Sequence, residues 1–489
     1  MWLELDGEGA LHRQAYRALR SAILAGRLGA GSRLPSSRGL ARELGIARNT
    51  AIAACEQLVA EGYAVTRHGA GTFVAERLPE TAARAPRARA PRRRVRLSSH
   101  GERLRRAAPR GGLSWNPPRA QLPYDFRYGE PAYPDLPYAT WCRLLARHAR
   151  RATRRDLDYG PPGGAPELRE ALAGYLARAR GVDCEPAQVL VVQGSQQAID
   201  LSARLLLDPG DGAVIEDPHY PALRLALAAA GAEIVALPVD GEGLPVERLP
   251  ERGARLACVT PSHQFPTGAV MPLARRLALL AWARDADAFV LEDDYDSEFR
   301  YDGRPLESLQ GLDRDERVLY VGTMSKVLFP SLRIGYLVVP EPLVDVFLAA
   351  KAVADTGSAG LEQRALAELI ADGSFERHLR RARSRHGARR RALVEAIGEH
   401  LGDAVEVTGA NAGLHVVLWV RGAPAERAAE LRQRAATFGV GVYSVRPFYR
   451  RAPGRAGLLL GYGSLDLDAI REGVRRLASA IEASLRPRR

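Results

Sequence analysis

The chain has 489 residues, of which 70 are basic and 57 acidic, with a formal net charge of +13 at neutral pH. This length predicts roughly two to four compact units. No run of about 18 uncharged apolar residues occurs, so we expect no membrane span. The four cysteines are scattered without a Cys-x-x-Cys pair, so we expect no metal site and reduced thiols in a cytoplasmic protein. The N-terminus carries early acids and no apolar segment, so we expect no signal peptide.

The positive charge is concentrated near the N-terminus. Residues 1–77 hold ten arginines and seven acids, a net of +3, and residues 78–112 hold eleven arginines and two acids, a net of +9. The remaining residues therefore sum to about +1. This distribution predicts that a polyanion meets the N-terminal quarter of the chain. The alternative is that the arginines only keep the segment soluble.

Residues 10–75 carry the pattern of three helices and a hairpin. A first amphipathic run is followed by a short helix, with Ser36 or Ser37 as its N-cap and Gly45 at its end. A third helical run comes next, and strand-like residues then alternate around a glycine-containing tip. This order predicts a winged helix-turn-helix, which we assign to residues 1–77.

Polar side chains cluster at the turn before the third helix, at the start of that helix and at the hairpin tip. Arginine pairs with guanine and asparagine with adenine in the major groove, while threonine contacts a phosphate or a thymine methyl. The candidate DNA-contacting residues are Arg38, Arg48, Asn49, Thr50, His68 and Gly69. The alternative use of such a unit is a protein contact.

The runs LPSSR, EQL-x-AEGY and GTFVA resemble the GntR family of winged-helix regulators. The resemblance covers nearly all of residues 11–75. It implies promoter DNA as a partner and places the six candidates above at contact positions. The family often has Ser or Thr where Ala47 stands, which implies that one phosphate contact is missing here.

The composition changes after the hairpin. Residues 78–112 are rich in Arg, Pro and Ala, which predicts an extended, mobile linker. Residues 113–489 alternate apolar runs with helical stretches, which predicts an α/β domain with a mainly parallel sheet. The strand-like runs are 189–192, 213–216, 256–260, 289–293, 318–322 and 334–339. A small C-terminal α+β subdomain is predicted over about 375–489.

Only two of the 70 basic residues are lysine, Lys326 and Lys351. Arginine stays protonated, whereas a lysine amine can act as a nucleophile and join an aldehyde covalently. A lysine in so arginine-rich a chain is therefore a candidate for chemistry. Lys351 lies in the helical run VDVFLAAKAVAD, and we expect it on the helix surface. Lys326 follows a predicted strand, in GTMSK.

Four separated segments, each at a strand end, supply the parts of a pyridoxal phosphate site. QGSQQ starts a helix whose free amides can cradle a phosphate, and EDPHY brings an aromatic ring. FVLEDDYDSE brings a carboxylate for the pyridine nitrogen and a phenol for the ring oxygen. GTMSK with Arg333 brings hydroxyls, an amine and a guanidinium. Singly each segment has a mundane explanation, such as a solvated acidic loop, but together they predict the cofactor.

Residues 115–480 resemble fold-type I aminotransferases, and the whole chain resembles the MocR subfamily of GntR regulators, which joins these two parts. The shared runs include TPSHQFPTG, LEDDYDSEFRY and GTMSKVLFPSLRIGY. The resemblance implies covalent attachment of the cofactor at Lys326, with Asp293 at the pyridine nitrogen, Tyr295 at the ring oxygen and Tyr220 stacked on the ring. The implied phosphate contacts are Ser195, Gln196, Thr323 and Arg333.

The resemblance also implies a homodimer, in which Tyr159 reaches the cofactor of the partner subunit. Two departures from the aminotransferase pattern stand out. Phe265 replaces the asparagine that contacts the ring oxygen, a change that MocR proteins commonly share. Leu459 stands where aminotransferases have the arginine that binds the substrate α-carboxylate, and Arg446 or Arg455 is a possible substitute.

The sequence features are compatible with two functions. One is a DNA-binding regulator that senses either pyridoxal phosphate itself or an amino compound at an aminotransferase-like site. The other is a working aminotransferase with an accessory DNA-binding domain. Leu459 favours the regulator, because a leucine cannot form the bidentate pair that orients an amino acid. It also favours pyridoxal phosphate, or an effector without an α-carboxylate, as the sensed compound.

Overall fold

The structure is a computed structural model, and it describes residues 3–78, 96–108, 120–301 and 306–485. The chain divides into two compact units, Met1–Arg96 and Leu97–Arg489. Among the helices of the described ranges, none has the length and apolar character needed to cross a membrane.

The first unit contains three helices and one antiparallel hairpin, as the sequence predicts. Its elements are α1 (Leu11–Leu24), α2 (Ser37–Leu44), α3 (Arg48–Ala60), β1 (Ala64–Arg67) and β2 (Gly71–Val74). Of the two candidate caps, Ser36 is the one used, because its Oγ accepts a hydrogen bond from Gly39 N at 3.1 Å. The helix ends at Gly45, whose φ of 64° is the left-handed conformation that glycine adopts without strain. Fully buried core residues include Leu19, Leu40, Ala51, Ala54 and Leu58.

The second unit contains the other helices and strands of the described chain. The helices are α4 (Ser99–Ala107), α5 (Tyr138–Arg151), α6 (Pro166–Arg180), α7 (Ser195–Leu206), α8 (Pro221–Ala230), α9 (Leu273–Asp285), α10 (Leu309–Leu312), α11 (Val344–Asp355), α12 (Gly360–Ala371), α13 (Ser374–His400), α14 (Ala428–Thr437) and α15 (Leu467–Leu485). The strands are β3 (Tyr124–Asp125), β4 (Val189–Val192), β5 (Gly212–Asp217), β6 (Glu233–Pro238), β7 (Ala254–Val259), β8 (Phe289–Asp294), β9 (Val318–Thr323), β10 (Gly335–Val338), β11 (Val405–Thr408), β12 (His415–Val420), β13 (Val440–Gly441), β14 (Tyr443–Ser444) and β15 (Ala456–Gly461).

A seven-stranded sheet in the order β4-β10-β9-β8-β7-β5-β6 forms the centre of this unit. All its pairings are parallel except those of β10, which runs antiparallel to both β4 and β9. The six predicted strand runs all form strands. The sequence prediction missed β6, because this edge strand is only partly buried and so lacks the continuous apolar run of a buried strand.

The C-terminal residues form the predicted α+β subdomain around a four-stranded antiparallel sheet, β11-β12-β15-β14. Its core also receives residues from far upstream. The short strand β3 pairs in parallel with β13, and the fully buried Phe126 packs in the same apolar cluster as Val416 and Ile470. A local sequence pattern cannot predict the pairing of β3 with β13, because the two strands are more than 300 residues apart in sequence.

The prediction of an extended linker over residues 78–112 is wrong for α4. Ser98 caps this helix by accepting from Gly101 N at 3.1 Å. Arg103 Nε and Nη2 donate to the carbonyl oxygens of Ala229 and Ala230, at 3.0 and 3.3 Å, at the end of α8. The helix buries none of its residues, and these hydrogen bonds hold it through free helix-end carbonyls instead. An apolar pattern cannot predict such a contact. Residues 79–95 and 109–112 of the predicted linker lie outside the described residues.

Candidate functional site

The predicted DNA-contacting residues lie on the surface of the first unit. Arg38 on α2 is exposed, as are Arg48 and Asn49 at the start of α3, while Thr50 is half-buried. Arg48 Nε lies 3.4 Å from Ser37 Oγ, which it contacts as a donor across the turn between the two helices. The exposed Arg38, Arg48 and Asn49 side chains are accessible to a ligand from solvent.

The other predicted contacts lie at the exposed tip of the hairpin, formed by His68 and Gly69. Gly69 has a φ of 71°, which a side chain would strain. Ala47, the N-cap residue of α3, offers no side-chain cap. The first amides of α3 therefore remain available as donors to a phosphate.

The second unit contains a cavity of about 350 Å³ at the carboxyl ends of β8 and β9 and the start of α7. Parallel strands place their carboxyl ends at one edge of a sheet, which is where α/β proteins bind ligands. The predicted cofactor residues that line this cavity are Ser195, Gln196, Tyr220, Asp293, Tyr295, Thr323, Lys326 and Arg333. Eight predicted residues from four separated segments thus meet at one place.

One end of the cavity is built to hold an anion. Ser195 is the first residue of α7, whose leading amides have no partners within the helix. Arg333 has a left-handed φ of 53° and donates from Nη2 to Gln193 O at 2.5 Å, which holds the guanidinium beside these amides. A Cβ on Gly194 would lie 3.1 Å from Arg333 Nη2, so glycine gives the guanidinium its room. Thr323 Oγ1 accepts from Ser325 N at 3.1 Å.

Asp293 presents an unsatisfied carboxylate oxygen to the cavity. Its Oδ1 atom is out of reach of solvent and has no hydrogen-bond partner among the described residues. Burial, together with repulsion from Asp294, raises the pKa of Asp293 to about 7, while the nearby Lys326 opposes the shift. A buried oxygen of this kind needs a donor, and a protonated ring nitrogen would supply one.

Lys326 lies close to the backbone on the far side of the cavity. Its Nζ donates to Gly129 O at 3.0 Å, and a Cβ on Gly129 would come within 3.0 Å of that nitrogen. Burial lowers the pKa of Lys326 below its usual range, although Asp296 and Asp293 act in the other direction. Lowering this pKa increases the fraction of neutral amine, which is the nucleophilic form.

Sequence reasoning missed several residues of the cavity wall. They are Tyr128, Gly129, Thr260, Asp296, Leu414, His415 and Phe448. The run TPSHQFPTG, whose Phe265 the sequence analysis did place at the site, also contains Thr260 and was the available signal for it. His415 on β12 and Phe448 come from the C-terminal subdomain, and nothing in their local sequence ties them to this site.

Leu459, which we expect at the position of the α-carboxylate-binding arginine of aminotransferases, is fully buried. It packs in an apolar cluster with Trp419, Tyr443 and Phe448. Neither suggested substitute lines the cavity. Arg446 Nη1 donates to Tyr449 O at 3.1 Å, and Arg455 forms an ion pair with Glu406 while lying over the Trp419 ring. Among the described residues that line the cavity, Arg333 is the only arginine.

Tyr159 does not line the cavity of its own chain. Its side chain is 87% exposed, and it lies in a separate pocket beside the segment from Asp355 to Gly360. Its predicted contact with a partner subunit stays a prediction.

The expectation that Lys351 lies on a helix surface is wrong. Lys351 is fully buried on α11, where Nζ contacts both carboxylate oxygens of Asp355 at 2.8 Å and Ser358 Oγ at 3.1 Å. Asp355 also accepts from Gln197 Nε2 on α7 at 2.7 Å. The buried ammonium is tolerated because Asp355 and Ser358 supply hydrogen-bond acceptors for it. The apolar helical pattern of the sequence could not predict these acceptors.

Comparison with known proteins gives both parts a family. Residues 11–74 match the bacterial regulatory proteins of the gntR family, and residues 127–458 match the aminotransferases of class I and II. In fold, the chain is similar to a kynurenine aminotransferase of Pyrococcus horikoshii, solved in complex with PMP, with a TM-score of 0.69, 28% identity, and coverage of 81% of this chain and 96% of that one. The fold and the family matches thus define a helix-turn-helix transcription regulator that carries an aminotransferase-like domain.

Relatives that match the chain over nearly its whole length identify the family more specifically. The probable rhizopine catabolism regulatory protein MocR of Rhizobium meliloti is 41% identical, over 98% of this chain and 96% of its own length. The pyridoxine biosynthesis transcriptional regulator PdxR of Corynebacterium glutamicum is 32% identical, over 96% of this chain and 95% of its own length. The chain belongs to the MocR-like, GntR-type family of DNA-binding transcription regulators.

Proposed function

We propose that this regulator binds pyridoxal phosphate covalently through Lys326 and that the state of this site controls its binding to promoter DNA. The convergence of eight predicted residues on one cavity carries the proposal. The unpartnered Oδ1 of Asp293 supports it independently, because a protonated pyridine nitrogen is the donor that this oxygen lacks. The aldehyde of pyridoxal phosphate reacts reversibly with primary amines, which is the chemistry that the group supplies when bound.

In this proposal, different residues of the cavity contact different parts of the cofactor. Arg333 and the first amides of α7 bind the phosphate, together with hydroxyl and amide side chains. These side chains are Ser195, Gln196 and Thr323. Tyr220 packs on the ring face, and burial raises its pKa to about 12, so its phenol stays neutral at physiological pH. Tyr295 donates to the ring oxygen, and Lys326 supplies the amine that attaches the aldehyde.

The cavity favours an effector without an α-carboxylate, or pyridoxal phosphate itself. Arg333 is assigned to the phosphate, and Phe448 of the cavity wall packs in one apolar cluster with the buried Leu459, where a carboxylate would need a guanidinium. An amino acid would leave its carboxylate unpaired in this wall, and an unpaired buried charge is costly. The same argument counts against the alternative of sustained aminotransferase turnover.

DNA recognition is assigned to the start of α3 and to the hairpin tip. Arg48 and Asn49 read base edges, Arg38 and Thr50 contact the backbone, and the tip at His68 and Gly69 approaches a phosphate or the minor groove. The linkage is thermodynamic: a ligand that binds one conformation more tightly shifts the population of DNA-binding forms.

The same proposal includes a homodimer. Several large apolar side chains of the second unit are exposed, and a second copy would cover them. They are Tyr138, Leu157, Tyr159 and Val353. Paired winged helices would then read two half-sites. A protein that sediments as a monomer and binds a single half-site would contradict this part of the proposal.

The test compares DNA binding by cofactor-free and cofactor-loaded protein. The probe is a DNA fragment that the protein itself selects from a random-sequence library. We expect loading with pyridoxal phosphate to change the Kd by about 5-fold or more, and equal Kd values would remove direct cofactor sensing. A parallel assay follows amino-group transfer over a broad amino-acid panel. Sustained multiple turnover would favour the aminotransferase instead.

A further inference from the structure

A buried histidine lies behind the tyrosine that faces the cavity. His263 Nδ1 lies 3.0 Å from Tyr295 Oη, and 3.1 and 3.2 Å from the two carboxylate oxygens of Asp296. His263 and Asp296 are each 2% exposed. His263 itself does not line the cavity, but Tyr295 and Asp296, the hydrogen-bond partners of its Nδ1, both do.

The three groups fix the position of the protons. A carboxylate only accepts, so the Nδ1 atom that faces Asp296 must carry the hydrogen. Tyr295 Oη therefore accepts a share of that N–H and cannot donate back to the same nitrogen. The phenol hydrogen is left free to point into the cavity. The other ring nitrogen, His263 Nε2, is buried and has no partner among the described residues.

The surrounding residues keep this arrangement rigid. A Cβ on Gly413, whose φ is 76°, would come within 2.2 Å of His263 Cε1 and 2.5 Å of Asp296 Oδ2. Glycine there lets the backbone close over the pair. From β12, His415 packs against His263 with ring centroids 5.2 Å apart, and its Nε2 lies 3.1 Å from Pro266 O. Burial lowers the pKa of His415 to about 3, so this neighbour stays neutral.

The other charged groups near the site act on Tyr295 in one direction. Burial raises the pKa of Tyr295 well above its usual value, and Asp296, Asp293, Glu216 and Asp294 raise it further. Lys326 is the nearby cation, and the charges of Asp296 and Asp293 both act to raise its own pKa. Tyr295 is therefore held as a protonated phenol, which is the form that can donate.

We propose that His263 and Asp296 are positioning residues that orient the hydroxyl of Tyr295 to donate to the ring oxygen of the bound cofactor. This inference rests on the proposed function. Phe265 stands where aminotransferases have an asparagine, so the ring oxygen has one donor fewer here. The direction of the remaining donor, the Tyr295 hydroxyl, therefore matters more. His263 ends the run Pro261-Ser262-His263, shortly before Phe265 in the sequence, and is placed to orient this hydroxyl.

The test follows the visible absorbance of the cofactor-loaded, full-length protein as a function of pH. A hydrogen bond to the ring oxygen stabilises its ionised form, so loss of that bond raises the pH midpoint of the spectral change. We expect Tyr295→Phe to raise the midpoint by about one pH unit, and His263→Leu by about half a unit, since the hydroxyl remains but loses its direction. His263→Asn keeps an N–H near the Nδ1 position and should restore most of the original midpoint.

A double variant separates positioning from a general structural effect. If His263 acts only through the Tyr295 hydroxyl, His263→Leu has no further effect on the midpoint in a Tyr295→Phe background. Asp296→Asn also removes a negative charge that raises the pKa of Lys326, so its effect on positioning is the difference between its midpoint shifts with and without the Tyr295 hydroxyl. It also provides the measurement if His263→Leu does not fold. His386→Leu is the matched control, because it removes another buried imidazole that does not line the cavity.

The outcomes distinguish the two levels of the argument. A parent protein with no cofactor absorbance overturns the proposed function and this inference with it. Normal cofactor binding overturns the inference alone if the His263→Leu midpoint is unmoved and the Asp296→Asn shift is the same with and without the Tyr295 hydroxyl. Equal shifts of the His263→Leu midpoint in the presence and absence of the Tyr295 hydroxyl also overturn it, because His263 would then act by another route.

Discussion

The proposed DNA-reading surface at the start of α3 and the proposed cofactor cavity hold their side chains in opposite ways. Arg48 and Asn49 are exposed on one short helix, and Arg48 makes a long hydrogen bond to Ser37. The residues of the cavity are held by networks that join distant segments, as His263 joins Tyr295 to Asp296. A surface that must adapt to DNA leaves its side chains free, whereas a site that attaches one small molecule fixes them in advance. Substitutions should therefore act locally in the first region and spread through contacts in the second.

The largest effect is expected from Lys326→Ala. Without the amine, pyridoxal phosphate has no covalent attachment, so the absorbance of attached cofactor should be lost completely. Borohydride reduction followed by peptide mass analysis checks the parent protein, and we expect the modification on the peptide that contains Lys326. Lys351 is the internal control, because it is the other lysine of the chain and is fully buried. A modification on Lys351 would contradict the assignment.

Lys351→Met tests how far the network in the second unit supports its stability. The substitution leaves Asp355 without the cation that neutralises it, and we expect a loss of about 3 kcal/mol in the free energy of unfolding, measured with urea. The matched control is Arg204→Met, which breaks a pair with Asp200 of the same i,i+4 spacing, whose side chains are 40% and 43% exposed. Its expected cost is under about 0.5 kcal/mol. Equal costs for the two variants would show that burial is not what matters.

Arg48→Ala tests the DNA-reading surface. If Arg48 reads a base, the free energy of specific DNA binding should fall by about 1–3 kcal/mol, with the cofactor spectrum unchanged. Fluorescence anisotropy at several salt concentrations measures the binding, and Arg13→Ala, an exposed arginine on α1, is the control. An equal loss on every sequence with a shallower salt dependence would reassign Arg48 to a phosphate.

Ser36→Ala should have the smallest effect. It removes the side-chain cap of α2 and should lower the free energy of unfolding of the first unit by about 1 kcal/mol. Ser98→Ala removes a cap of the same geometry from α4 in the second unit. Thermal melting followed through DNA binding should respond to the first substitution and not to the second. A response to both substitutions would mean that the two units do not unfold independently.

Much of the fold was predictable because its signals are local. The caps Ser36 and Gly45, the strand runs and the hairpin tip each depend on neighbouring residues. The linker prediction went wrong at α4, where Arg103 bonds to carbonyls of α8 more than 120 residues away. The surface prediction for Lys351 went wrong for the same reason, since Asp355 and Ser358 compensate its burial only in the folded chain.

The sequence by itself determined that two kinds of domain are joined, and it determined which side chains are chemically able to hold pyridoxal phosphate and DNA. The lysine-poor background marked Lys326, and the order of four strand-end segments marked its companions. Only the tertiary structure decided that Leu459 is sealed among aromatic rings, that Arg446 and Arg455 are directed elsewhere, and that His263 stands behind Tyr295. The physical reason is that residue types and local spacing specify capacity for chemistry, while direction, burial and partners arise from contacts between segments far apart in the chain.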